Sequence, residues 1–177
     1  MGKKRIGLIV ISMLVLLVGI GVTIAFLVSS SNQVKNTFTV GDVGITLSET
    51  TGSEYKLIPG ATVKKNPSVA VLQGSEDCWV FVKVNKKGEV DKYLTYTVAD
   101  GWHMLAGHSD VYYRQVEEIS EKITFKILQD DSVLVRDNVT EEVLNAITEK
   151  PVLEFVAYGI QSDGIDSVHD AWQILNE

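Results

Sequence analysis

Three histidines, one cysteine and a few acidic pairs are the residues of this chain that could do chemistry. A metallopeptidase of the common kind places two histidines one helical turn apart with a glutamate between them as base, and that His-Glu-x-x-His pattern is absent. His103 and His108 are five apart in strand-like or loop-like sequence, so within a strand they would point to opposite faces. His169 lies between Val168 and Asp170, where an exposed helix face is expected. Gly107-His108-Ser109-Asp110 contains the residue types of a serine-histidine-aspartate triad, but chain neighbours cannot face one another as a triad does, and the segment reads as a turn. Asp163-Gly164-Ile165-Asp166 sets two carboxylates around a turn, too few oxygens for a Ca²⁺ site that takes about 6–8. Cys78 opens an apolar run and reads as a small buried residue, and a lone cysteine rules out an internal disulfide. No nucleotide fingerprint or Gly-rich phosphate loop is present. The residues therefore predict no catalytic group, no cofactor and no metal.

The N-terminus carries a different kind of signal. Lys3, Lys4 and Arg5 precede Ile6 to Val28, a stretch without one charge. Positive then apolar is the order that export machinery reads. The stretch is long enough to span a bilayer, which takes about 20 residues. Gly19 and Gly21 interrupt its end, however, and Thr23-Ile24-Ala25 offers the small residues a signal peptidase inspects. Residues 1–25 are thus read as a signal peptide, with cleavage between Ala25 and Phe26 and a second exit offered by Ser29, Ser30 and Ser31, or else as a membrane anchor. Removing them takes away three positive charges and no acid, so the formal net charge of −7 becomes −10. Such a surface repels nucleic acid and anionic lipid and suits divalent cations. Neither a lipidation cysteine nor a sorting signal follows, so covalent attachment to a wall is not expected.

Those candidate residues need elements to hold them. Residues 29–36 are polar and unpatterned, an arm or linker. From Thr37 the period becomes two: Phe38, Val40, then Val43, Ile45 and Leu47 read as a bent or bulged strand pair. Further strands are expected at 61–65, 68–72, 78–84, 94–98, 101–105, 111–116, 122–128 and 133–135. The run from Cys78 to Val84 is the most β-branched and aromatic of them. Val152 to Ile160 is apolar on both phases, as a doubly covered central strand would be. Asn138 with Glu141 resembles a capping box for one short helix, and Ser167 with Asp170 caps another whose Trp172 is expected to plug an end of the sheets. The asparagine of the Asn138-Val139-Thr140 sequon is explained by that cap. Many short strands, turn signals at Pro59-Gly60 and Asn66-Pro67, and two short helices predict a mainly β, jelly-roll-like antiparallel sandwich in one domain over 38–177, after a 26–37 arm.

Ordered motifs along nearly the whole chain carry a family resemblance. They are Thr23-Ile24-Ala25-Phe26, Asn36 to Val43, Tyr55 to Thr62, Lys65-Asn66-Pro67 and Gly74 to Val84. The series continues with Asp100-Gly101-Trp102, Val111-Tyr112-Tyr113, Ala157 to Gly164 and Ala171-Trp172. In these the chain resembles the TasA/camelysin family, exported proteins of Gram-positive bacteria with a SipW-dependent type of signal peptide. The resemblance implies a jelly roll, cleavage by a dedicated signal peptidase, and display at the cell surface or in a biofilm matrix. It also implies a fibre subunit whose N-terminal arm, about Phe26 to Phe38, adds a strand to the next copy, with Gly41 as the hinge. Val34, Phe38, Val40 and Gly41 are then the assembly residues, and the partners are the chain itself or other matrix proteins. Through its camelysin-type members the resemblance implies a surface metallopeptidase as the alternative. A monomeric surface module that binds a ligand is the third reading.

Overall fold

The computed structural model describes residues 27–29, 37–40, 43–51 and 54–176. The helix expected over residues 1–25 lies outside the described residues. The strands are β1 (Leu27–Ser29), β2 (Thr37–Val40), β3 (Ile45–Ser48), β4 (Glu54–Lys56), β5 (Thr62–Lys64), β6 (Ser68–Val71) and β7 (Cys78–Lys87). They continue as β8 (Leu94–Thr95), β9 (His103–Met104), β10 (Val111–Val116), β11 (Ile123–Lys126), β12 (Ser132–Val135) and β13 (Val152–Gln161). Short helices occupy Val90–Tyr93 (α1), Glu141–Asn145 (α2) and Val168–Ile174 (α3). The protein is mainly β, and its sheets are antiparallel except where β2 runs parallel to β13.

The residue pattern of β7 explains the layout. Cys78, Val80, Val82 and Val84 occupy one phase, while Trp79 and Phe81 occupy the other; successive side chains of a strand point to opposite faces. A strand apolar on both sides must be covered on both. It lies third in the five-stranded order β2-β13-β7-β10-β9. Its Cys78 phase joins Leu153, Phe155 and Ala157 of β13 in the main core, where they meet Ile45 and Leu47 of β3, Val69 and Val71 of β6, and Val133 and Val135 of β12. The sheets β11-β6-β3 and β5-β12-β8 thus cover one face of the five-stranded sheet. The opposite face carries a second, smaller core of Phe81, Leu105, Val111, Ile160, Ala171 and Trp172. The double-phase reading of 152–160 is met in β13, which is bounded by β2 and β7 and contributes to both cores.

Gly159 shows how closely the layers approach. A Cβ built there would stand 3.1 Å from side-chain carbons of both Ile45 and Val43, so β3 crosses β13 where only hydrogen fits comfortably. Ser75 fixes the neighbouring loop: it is buried, its Oγ accepts from Gly44 N at 3.1 Å and donates to Leu72 O at 2.8 Å.

Several local expectations need correction. Residues 37–47 do not form a strand pair, because β2 joins β13 while β3 joins β6 in another sheet. Alternation is the same whether a chain turns back on itself or crosses between sheets. Strands expected over 94–98 and 101–105 shorten to two residues each, leaving Val98 in an isolated bridge with Leu128. Thr140, not Asn138, caps α2, with its Oγ1 accepting from Val143 N at 3.3 Å. Ser167 does cap α3, as its position three residues before Asp170 predicts. Trp172 does not plug an end; it lies on the sheet's face, 5.2 Å between ring centroids from both Phe81 and Tyr158.

One buried ion pair ties the turn after β3 to the end of β5. Lys65 Nζ lies 3.0 Å from each carboxylate oxygen of Glu49, with side chains 6% and 2% exposed. Thr51 Oγ1 also donates to Glu49, and the ammonium lies 5.6 Å from the centre of the Phe155 ring. Breaking such a pair strands a charge in a place water does not reach. Glu49→Gln is expected to cost about 3–5 kcal/mol in urea unfolding, and the Glu49→Leu/Lys65→Met pair to recover most of it. A Glu49→Gln loss under about 1 kcal/mol would mean that the pair is effectively solvated.

Candidate functional site

The residues marked for assembly divide between described and undescribed segments. Ala25, Phe26, Val34 and Gly41 lie outside the described residues. Phe38 and Val40 belong to β2, where their strand partners are Tyr158 and Ile160 of β13. Among the described residues β2 is the outermost strand of the five-stranded sheet, and its pairing with Ala157 to Ile160 fills that edge. Nearer the N-terminus, β1 pairs antiparallel with β4, which has no other strand partner among the described residues. Both N-terminal strands are therefore additions to edges, each satisfying backbone groups that would otherwise face outward.

The outer face of the same sheet gathers the aromatic and histidine residues. Tyr113, Phe81 and Tyr158 are direct neighbours across β10, β7 and β13, and His103 is the partner of Tyr113 on β9. The Trp79 ring meets Tyr113 edge-on at 5.9 Å, and Trp172 of α3 covers Phe81 and Tyr158. His108 and His169, 61 residues apart in the chain, come to 6.1 Å between ring centroids, and His108 is 6.2 Å from Trp172. The opposite-face reading of His103 and His108 assumed a continuous strand. The chain instead turns after β9, with His108 N donating to Leu105 O at 3.0 Å. Trp79, Phe81, Trp102, Tyr158 and Trp172 are expected core residues; Phe81, Trp102 and Trp172 are buried, while Trp79 and Tyr158 are half-buried on this outer face.

A stacked arginine escapes sequence reasoning. Arg114 of β10 sits with its guanidinium 3.9 Å from the centre of Phe125 and 5.1 Å from that of Trp102, and burial lowers its pKa. Trp102 is itself held by its Nε1–H, which donates to Lys126 O at 2.7 Å. Arg114 alternates in phase with Tyr113, which is the only hint the chain offers.

Catalytic geometry is not assembled by these contacts. No group of three or more histidine, cysteine or acidic residues is placed to hold a metal among the described residues. Ser109 and Asp110 follow His108 in its turn without forming a triad. A cleft of about 430 Å³ lies between α1 and α2, but its charged Lys92 and Glu89 already pair with each other. Among the described residues no helix is long and apolar enough to cross a membrane. No family model, curated protein or solved structure matches the chain.

Cys78 is fully buried, and that burial, with Asp77 beside it, pushes its thiol up to about 11. The folded thiol therefore stays protonated where an unfolded one ionises. Its contribution to stability is complete below an unfolded pKa near 8.5–9 and is lost as pH rises through about 11. Native protein is expected to resist thiol alkylation at pH 8, and unfolding free energy should fall between pH 9 and 11 less steeply in Cys78→Ala than in the parent. Rapid native alkylation, or identical slopes, would contradict the burial.

Proposed function

We propose that this chain is an exported structural protein of the cell surface or biofilm matrix, a jelly-roll-like subunit that self-associates by exchange of its N-terminal strand. The observation that carries the reading is the position of β2, a four-residue strand at the outer edge of the sheet, joined to β3 by only residues 41–44. The same four residues from a neighbouring copy would meet the same backbone groups of β13. Each backbone hydrogen bond contributes about 0.5–1.5 kcal/mol net, so self-pairing and neighbour-pairing differ little in contacts. They differ in concentration: a short tether holds its own strand at an effective concentration on the order of millimolar. Assembly on this mechanism is therefore steeply concentration-dependent. The basic cluster and the apolar run of residues 3–28 support export, and the excess of acidic residues supports a role away from nucleic acid. The proposal assigns no catalytic residue and no cofactor; its partners are further copies of the chain or other matrix proteins.

Two purified forms test this, one beginning at Phe26 and one beginning at Gly41. In negative-stain microscopy and light scattering, the longer form is expected to make filaments above a critical concentration while the shorter remains monomeric. A synthetic peptide of residues 26–40 should bind the shorter form and raise its melting temperature. Monomers from both forms across concentration, with no peptide binding, would replace self-assembly by a monomeric surface module.

A further inference from the structure

The geometry points to a two-histidine site for a late first-row divalent ion, Zn²⁺, Cu²⁺ or Ni²⁺, formed by His108 and His169. The two residues come from separate, well-held elements. His108 ends a tight turn in which His108 N donates to Leu105 O at 3.0 Å and Val111 N donates to His108 O at 3.3 Å. Gly107 supplies the positive φ of 81° that this turn requires. His169 lies in the first turn of α3, a helix capped by Ser167 and anchored by buried Trp172 three residues further on. Residues three apart share a helix face, and His108 stands opposite both, 6.1 Å from the His169 ring and 6.2 Å from Trp172.

That separation suits a shared ion. With a metal–nitrogen bond of about 2.0–2.1 Å, two imidazoles on one ion stand roughly 4.5–6.5 Å apart between ring centres, from a right-angled to a linear arrangement. Among the described residues neither imidazole has a hydrogen bond or ion pair to another side chain, so no protein partner competes for the ring nitrogens. Imidazole pairs select Zn²⁺, Cu²⁺ and Ni²⁺ over Ca²⁺ and Mg²⁺, which prefer oxygen. An excess of 23 acidic over 16 basic residues raises the local concentration of any cation. Two protein ligands leave the other positions to water, and among the described residues no carboxylate orients either ring, which sets the affinity at a modest level. The ion joins the turn before β10 to α3, and so holds the helix against Phe81. This inference is independent of the assembly reading.

The test uses the untagged chain from Phe26, titrated with ZnCl₂, NiCl₂ or CuSO₄ by calorimetry. One ion per chain is expected, with Cu²⁺ quenching tryptophan fluorescence because Trp172 adjoins the site. Saturating Zn²⁺ should raise the melting midpoint by roughly 2–8 °C. His169→Ala, on an exposed position, should abolish the shift and weaken binding at least tenfold while leaving the metal-free midpoint unchanged. His108→Gln should do the same to binding, and His103→Ala should leave binding intact. No binding by the parent, binding retained in His169→Ala, or binding lost in His103→Ala would overturn the site.

Discussion

Everything in this fold depends on the ten-residue antiparallel pairing of β7 with β13, from Cys78 opposite Gln161 to Lys87 opposite Val152. Both strands carry apolar side chains on both phases where they lie deepest, and neither phase can be left in water. Burying a Val, Leu, Ile or Phe is worth about 1.5–3 kcal/mol each, so two faces of such residues demand two coverings. The main core answers on one side with two three-stranded sheets; the helix with Trp172 answers on the other. The short strands, the tight turns and the close crossing at Gly159 are ways of bringing cover to that pair.

How much of this could be read from residue types depends on whether a feature is local. The strands at 78–84 and 152–160 were visible because an apolar run on both phases has one good explanation in a β protein. The cap of the C-terminal helix is visible because Ser167 Oγ accepts from the backbone N–H of Asp170, only three residues away. Features set by crossing chains were not. Phe38-to-Leu47 alternation is identical in a hairpin and in a sheet-to-sheet crossover, and what distinguishes them is the pairing of β2 with Ala157 to Ile160 on a distant strand. The choice of Thr140 over Asn138 as cap depends on where the helix begins, by two residues, a margin at which boundaries are least distinct.

The chemistry-bearing residues follow the same division. The missing metallopeptidase motif was legible, since its spacing is local. The meeting of His108 with His169, the slot that holds Arg114 between Trp102 and Phe125, and the Lys65–Glu49 pair arise from contacts 61, 11 to 12 and 16 positions apart in the chain. A pairwise pattern in one sequence carries no record of such distances. Lys65, at the end of the strand expected over 61–65, carries no local sign of the Glu49 carboxylate that it meets in the fold.

The edge strand has a further meaning for any assembly built through it. A subunit that passes its β2 onward gives one strand and takes one, so the giving and taking surfaces are different. Copies joined in this way repeat in a single direction, and the chain of copies has unlike termini: one with an unfilled β13, one with an unused strand. Growth and shedding then proceed at different rates at the two termini. A molecule that fills β13 without offering a strand of its own would stop elongation at one of them alone.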